Sequence, residues 1–201
     1  MRFKVAILAA DAYEHDSKLQ YCVQEGEEIR KELPKMHIIE GDLEFLPNFK
    51  RQQAFDLADR LKSAKRVMLI IACHAYQEKG NVLLRPVDST RQDDDVPLER
   101  FTQNMKNDGS EGVFVCFFAA CRLLKEAPPR AWDKSRLYSL MQPPRIGQAH
   151  VTFLGCTLGE PMRDADLSTS FLGDLARRLK PGAILPDLAQ DIIKAQERVS
   201  F

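Results

Sequence analysis

Three stretches of this chain are almost wholly apolar: FKVAILAA (3–10), RVMLIIACH (66–74) and GVFVCFFAA (112–120). Each reads as a strand buried on both faces. A sheet with no polar face must be covered on both sides, and the intervening segments have the pattern to do it. LQYCVQEGEEIRKEL (19–33) carries Leu19, Cys22, Val23, Ile29 and Leu33 at mostly helical spacing, ended by Pro34. RQQAFDLADRLKSA (51–64) is amphipathic through Phe55, Leu57, Ala58 and Leu61. VPLERFTQNMKND (96–108) predicts a helix with Pro97 near its start, where proline is tolerated. RLLKEA (122–127), LSTSFLGDLARRLK (167–180) and LPDLAQDIIKAQERV (185–199) predict further helices, and HIIEGD (37–42) and VTFLGC (151–156) predict short strands. Strands alternating with helices define an α/β protein, a three-layer α/β/α sandwich on a mainly parallel sheet.

At 201 residues the chain suggests a single domain, large enough for a sizeable core. Lys+Arg and Asp+Glu both number 29, so no excess charge marks it for nucleic acid or an anionic membrane. No apolar run nears the ~18 residues of a membrane-spanning helix. The opening MRFKVAILAADAYEHD reads as a strand rather than a signal peptide. Five cysteines, an odd number with no CxxC pair, argue against a disulfide framework or a structural zinc site. A reducing, cytoplasmic setting is expected.

His74 stands at the carboxyl end of the second apolar run and Cys121 just past the third. In open parallel sheets chemistry gathers at the carboxyl ends of strands. The segment between the two runs includes the 96–108 helix, which makes a right-handed crossover the natural connection. As neighbours the strands would lie ~4.8 Å apart and bring the imidazole and thiol to one edge. A histidine and a helix amino terminus both favour a thiolate, which attacks carbonyl groups. Backbone N–H groups of Cys121 and Ala75 would hold the oxyanion, and His74 would protonate the leaving amine. The alternative reading makes Cys121 a small core residue and His74 a hydrogen-bonded strand cap.

Further stretches fit a known pattern. Cys121 lies in A-A-C-R, 47 residues after His74, and YQEKGNVLLRPVD (76–88) follows the histidine. Caspases carry Q-A-C-[RQG]-G with a histidine about 50 residues upstream. VAILAADAYEHDSKL resembles the first strand and following loop of that clan, and GCTLGEPMRDADLSTSFLGDLARRL (155–179) resembles its later strand, substrate loop and helix. Over roughly residues 3–180 the chain resembles caspase-like cysteine peptidases, most closely paracaspases and metacaspases. The resemblance implies a caspase-hemoglobinase sandwich, with Cys121 as nucleophile, His74 as general acid/base, and the Ala75 and Cys121 amides as oxyanion donors. Ala75 replaces a glycine of the family. It implies a large-subunit-like part (1–124), a Pro-rich linker (125–149) with four of the eleven prolines, and a small-subunit-like part (150–201). Arg130, Lys134, Arg136 and Arg145 in the linker are candidate self-cleavage points. The family's terminal strand is either missing or reduced to ERVSF, on the edge through which caspases form a homodimer.

Substrate preference follows from the same comparison. Paracaspases and metacaspases cut after Arg or Lys using acidic pocket residues, and the matching positions are Glu25, Glu160 and Ala119, the last having lost its acid. Glu25 reads alternatively as part of a solvated helix face, EGEE. The implied partner is a protein or peptide substrate, with no cofactor required. Asp88, Asp94 and Asp95 resemble the calcium-binding carboxylates of some metacaspases, whose hard oxygens suit calcium. Their other reading is a turn residue and a solvated acidic loop before a helix. His15, His37 and His150, and Cys22, Cys73, Cys116 and Cys156, read as structural. A catalytically impaired pseudoprotease is the second functional reading, given Ala75, Ala119 and the terminal strand. An unrelated ligand-binding doubly wound domain is the third, weakened because LAADAYEHD has no glycine.

Overall fold

The computed structural model describes residues 2–78, 81–102, 112–124, 149–154 and 170–181. The central strand β3 (Arg66–Glu78) lies between β1 (Lys4–Ala9) and β6 (Val113–Leu124), both parallel to it. β2 (Glu44–Pro47) extends the sheet beyond β1, and β7 (Ala149–Leu154) extends it beyond β6, again in parallel. β4 (Asn81–Leu84) and β5 (Val96–Pro97) are added antiparallel.

Period-two alternation sorts β3 between two cores. Met68, Ile70 and Ala72 face α1 (Cys22–Glu32) and α4 (Phe171–Arg178), packing with Ile29, Leu172 and Leu175. Val67, Leu69, Ile71 and Cys73 face α2 (Arg51–Leu61) and α3 (Glu99–Thr102), packing with Leu57, Leu61 and Phe101. This is the expected α/β sandwich on a mainly parallel sheet. Among the described residues no helix is long and apolar enough to cross a membrane.

α1 presses closely on β1. A Cβ at Gly26 would come within 2.8 Å of Phe45 Cε2 and 3.3 Å of Ala9 Cβ, so the glycine permits the approach. The helix start is tied to the strand end by Asp11, whose carboxylate accepts the Cys22 and Val23 N–H groups, both at 2.9 Å. Such caps contribute about 1 kcal/mol. Asn48, in the left-handed region at φ 48°, accepts the Asp11 and Ala12 N–H groups through Oδ1. One corner of the sheet thus sets both the helix and the loop that follows β1.

Several boundaries differ from the sequence expectation. β3 continues past His74 to Glu78, and β6 past Cys121 to Leu124. Residues 122–124, expected as helix, are strand because they pair with Ala75–Gln77. HIIEGD makes one isolated bridge, Phe3–Ile39, and the paired strand is Glu44–Pro47. Pro34 does not stop the chain's helical course. It enters a 3-10 turn, Leu33–Met36, closed by His37 at φ 54°. Val96 and Pro97 form a strand rather than opening a helix. The helix expected at 185–199 and the linker at 125–148 lie outside the described residues, as do the four candidate self-cleavage points and any terminal strand.

Candidate active site

β3 changes partner along one edge. β1 ends with the pair Ala9–Ala72, and β4 begins with Ala75–Leu84. The His74 amide falls in the interval. Its N–H donates to the Tyr13 hydroxyl at 2.7 Å, and the Tyr13 ring lies 4.5 Å from the imidazole, centroid to centroid. Burial pushes the Tyr13 phenol far above its ordinary pKa, with the neighbouring Cys73 adding to the rise, so it remains a neutral hydroxyl. Tyr13→Phe keeps the ring but leaves this N–H without its acceptor. It is expected to cost about 1–3 kcal/mol, read by urea unfolding. A loss below about 0.3 kcal/mol would mean that water replaces the phenol without penalty.

The imidazole is fixed at its far side. His74 Nε2 lies 2.8 Å from the Ser17 carbonyl oxygen. A carbonyl only accepts, so Nε2 carries the proton and a neutral ring keeps its lone pair on Nδ1. The nitrogen open to proton exchange is therefore Nδ1.

Arg85, just after β4, donates its N–H to the His74 carbonyl at 2.9 Å. Its guanidinium lies between two carboxylates, with Nε 3.0 Å from Asp16 Oδ2 and an Nη atom 3.8 Å from Asp95 Oδ2. Asp95 is buried and accepts from the Tyr76 hydroxyl and, at 2.6 Å, from Ser89 Oγ. Burial raises the Asp95 carboxyl pKa, against these hydrogen bonds and the Arg85 charge, which draw it down.

Cys121 is the register partner of His74 across the parallel β3–β6 pair. Counting in twos from Ala72 and Ala119, both buried on the α1/α4 side, the two positions share one face of the sheet. Ala119 is thus a core position. Ala75 is buried on the opposite face, in the cluster holding Leu84, Val87 and Val96. The bond from Arg85 to the His74 carbonyl directs residue 74 toward the β4 side, so alternation turns the Ala75 amide toward β6. There β3 and β6 remain paired through Gln77–Leu124.

Glu25 is 3% exposed in the first turn of α1, so it is not on a solvated face. Glu160 lies outside the described residues. The acidic residues have separate tasks. Asp88 Oδ1 accepts the Arg51 N–H at the start of α2 at 2.9 Å. Asp94 closes a turn by accepting the Arg91 N–H and the Thr90 N–H and hydroxyl; these bonds, led by Arg91, hold its carboxyl below the usual range. The run is not uniformly solvated, since Asp95 is buried, and β5 rather than a helix follows it. Among the described residues no three His, Cys, Asp or Glu side chains are grouped to hold a metal. Nothing local in the sequence marks Tyr13 and Ser17, which meet His74 across 61 and 57 positions of chain, and no motif marks Arg85.

Comparison with solved structures establishes the fold. The crystal structure of caspase-1 from Spodoptera frugiperda matches with a TM-score of 0.63 at 12% identity, over 96% of this chain and 76% of that one. The chain therefore has a caspase-like fold. No family model and no curated protein sequence matches it.

Proposed function

We propose that this chain is a cysteine peptidase that cleaves protein or peptide substrates in the cytoplasm, with Cys121 and His74 as its reacting pair. The register partnership of His74 with Cys121 carries this reading. The Ser17 carbonyl supports it, because it leaves Nδ1 as the proton-accepting nitrogen. In the first step the Cys121 thiol gives its proton to His74 Nδ1, and the thiolate adds to the scissile carbonyl. His74 then returns the proton to the leaving amine as the carbon–nitrogen bond breaks. Water, deprotonated by His74, hydrolyses the acyl-enzyme and frees the thiol. The Cys121 amide is assigned to the oxyanion, and the Ala75 amide would join it only on leaving its ladder with β6. Glu25 and Glu160 are assigned to a basic P1 side chain, which a carboxylate binds through charge-assisted hydrogen bonds. Ala119 supplies no third acid.

One observation favours a second reading. The Ala75 amide faces β6 within a continuous ladder, and an amide so engaged is not open to an oxyanion. A pseudoprotease that retains the sandwich as a protein-binding module accommodates that arrangement without change.

Peptides bearing Arg, Lys or Asp before the scissile bond separate the readings, assayed with and without calcium. Cleavage after Arg or Lys that disappears in Cys121→Ala is the expected result. Unchanged cleavage in that variant would assign the chemistry elsewhere. An inert parent under every condition would leave the binding module.

A further inference from the structure

We infer that Arg85 is a positioning residue for His74, acting as a latch between the hairpin after β3 and the loop after β1. The inference rests on the peptidase reading for its catalytic consequence, but not for its geometry. Glu14, His15 and Asp16 are exposed. From Glu14 to Leu19, the ties from this loop to β3 and to the segment just after β4 among the described residues are the Glu14 N–H to the Val87 carbonyl at 3.3 Å, the Ser17–His74 bond and the Asp16–Arg85 ion pair. The ion pair lies one residue from the carbonyl that holds the imidazole. Arg85 also bonds the His74 carbonyl through its own N–H, so one residue grips the histidine's backbone and the loop holding its ring.

The electrostatics suit a latch. The Arg85 side chain is 19% exposed, which shields it from solvent better than an ordinary surface pair. Asp95 lies behind it, buried and braced by Ser89 and Tyr76, and supplies the second negative charge. The two contacts are charge–charge rather than hydrogen bonds, and a guanidinium spreads its charge over a planar group that lies near both carboxylates at once; an ammonium is a point charge on a flexible stem and approaches only one of them closely. Arg85 therefore joins a buried inner anion to an exposed outer one, and the outer one sets the Ser17 carbonyl. Without the latch the carbonyl is free to leave Nε2, and the proton can redistribute between the two ring nitrogens.

The test reads the ring directly. In protein carrying ¹⁵N-histidine, long-range proton–nitrogen spectra distinguish protonated from unprotonated ring nitrogens, and loss of one signal set in His74→Gln assigns His74. With the ring neutral, the parent should show a protonated Nε2 and a bare Nδ1. Arg85→Gln and Asp16→Asn should move both His74 nitrogens toward averaged values, leaving His15, His37 and His150 in place. Arg85→Lys should restore only part of the difference. On a cleaved peptide the same variants should lower kcat on the order of 10–100-fold, with KM within about twofold. His74 signals identical to the parent in both Asp16→Asn and Arg85→Gln, each melting as one folded species, would overturn the inference. Should Arg85→Gln fail to fold, Asp16→Asn decides, because its side chain is 38% exposed and its loss leaves Asp95 paired. A parent that cleaves no peptide would end the peptidase reading, while the ring spectra would still decide whether Arg85 holds the histidine.

Discussion

His74→Ala is expected to lower kcat/KM about 10²–10⁴-fold on whichever peptide the parent cleaves. The magnitude follows from two proton transfers by one group. In the proposed mechanism the imidazole takes the thiol proton before attack and gives a proton to the departing amine. Without it, Cys121 should revert toward an ordinary thiol, ionising near pH ~8.5. Alkylation of Cys121 by iodoacetamide across pH 5–10 checks that second consequence independently of turnover. The parent should react well below the reference pH, and the variant should follow the reference curve. His74 is half-buried and its backbone bonds to Tyr13 and Arg85 survive the change, so the fold should persist. Activity within about threefold of the parent would remove His74 from the mechanism.

Phe117→Ala is expected to destabilise the domain by about 3–5 kcal/mol. Phe117 is 1% exposed and stands in one row with Ile70 and Ile7 across the three central parallel strands. All three side chains lie on the α1/α4 side, packed with residues of those helices. Removing the ring opens a cavity where strand neighbours cannot close in, because the ladder fixes their spacing. The loss would be a large fraction of the ~5–15 kcal/mol typical of a domain. At this chain length it should lower Tm by roughly 6–20 °C. Calorimetry or urea unfolding showing less than about 1 kcal/mol would mean that the core does not centre on this row.

The parts of the fold legible in the sequence were those with the strongest physical signal. β1, β3 and β6 are apolar on both faces and could hardly lie elsewhere than mid-sheet. Phe55, Leu57, Ala58 and Leu61 likewise announced α2. The edge elements were not legible. Glu44–Pro47 is four half-buried or exposed residues, too short and mixed for a clear period of two. Arg122, Leu123 and Leu124 favour helix by composition, and it is pairing with β3, a tertiary effect, that extends them. At the site, His74 and Cys121 stood out because each follows an apolar run and they fall at matching depths in the sheet. The residues around the histidine did not. Tyr13, Ser17 and Arg85 reach it from other segments, and Asp95 hid in a triplet whose other two members face water or turn backbone. Glu25 was hidden in the same way by its acidic neighbours; charge predicts solvent, whereas the close approach at Gly26 draws that turn of α1 into the interior.

The exchange of partners along β3 gives the molecule a reporter of its own condition. Most amides of that strand are locked by other strands, so their deuterium uptake waits on opening of the sheet. The His74 amide is held by a phenol on the β1 loop, and its uptake follows that loop's excursions. A single backbone proton can therefore be timed against its neighbours Leu69 and Ile71. A lag shared by all three means that the loop and sheet move as one body; faster labelling at residue 74 alone measures how often the histidine's mooring lets go.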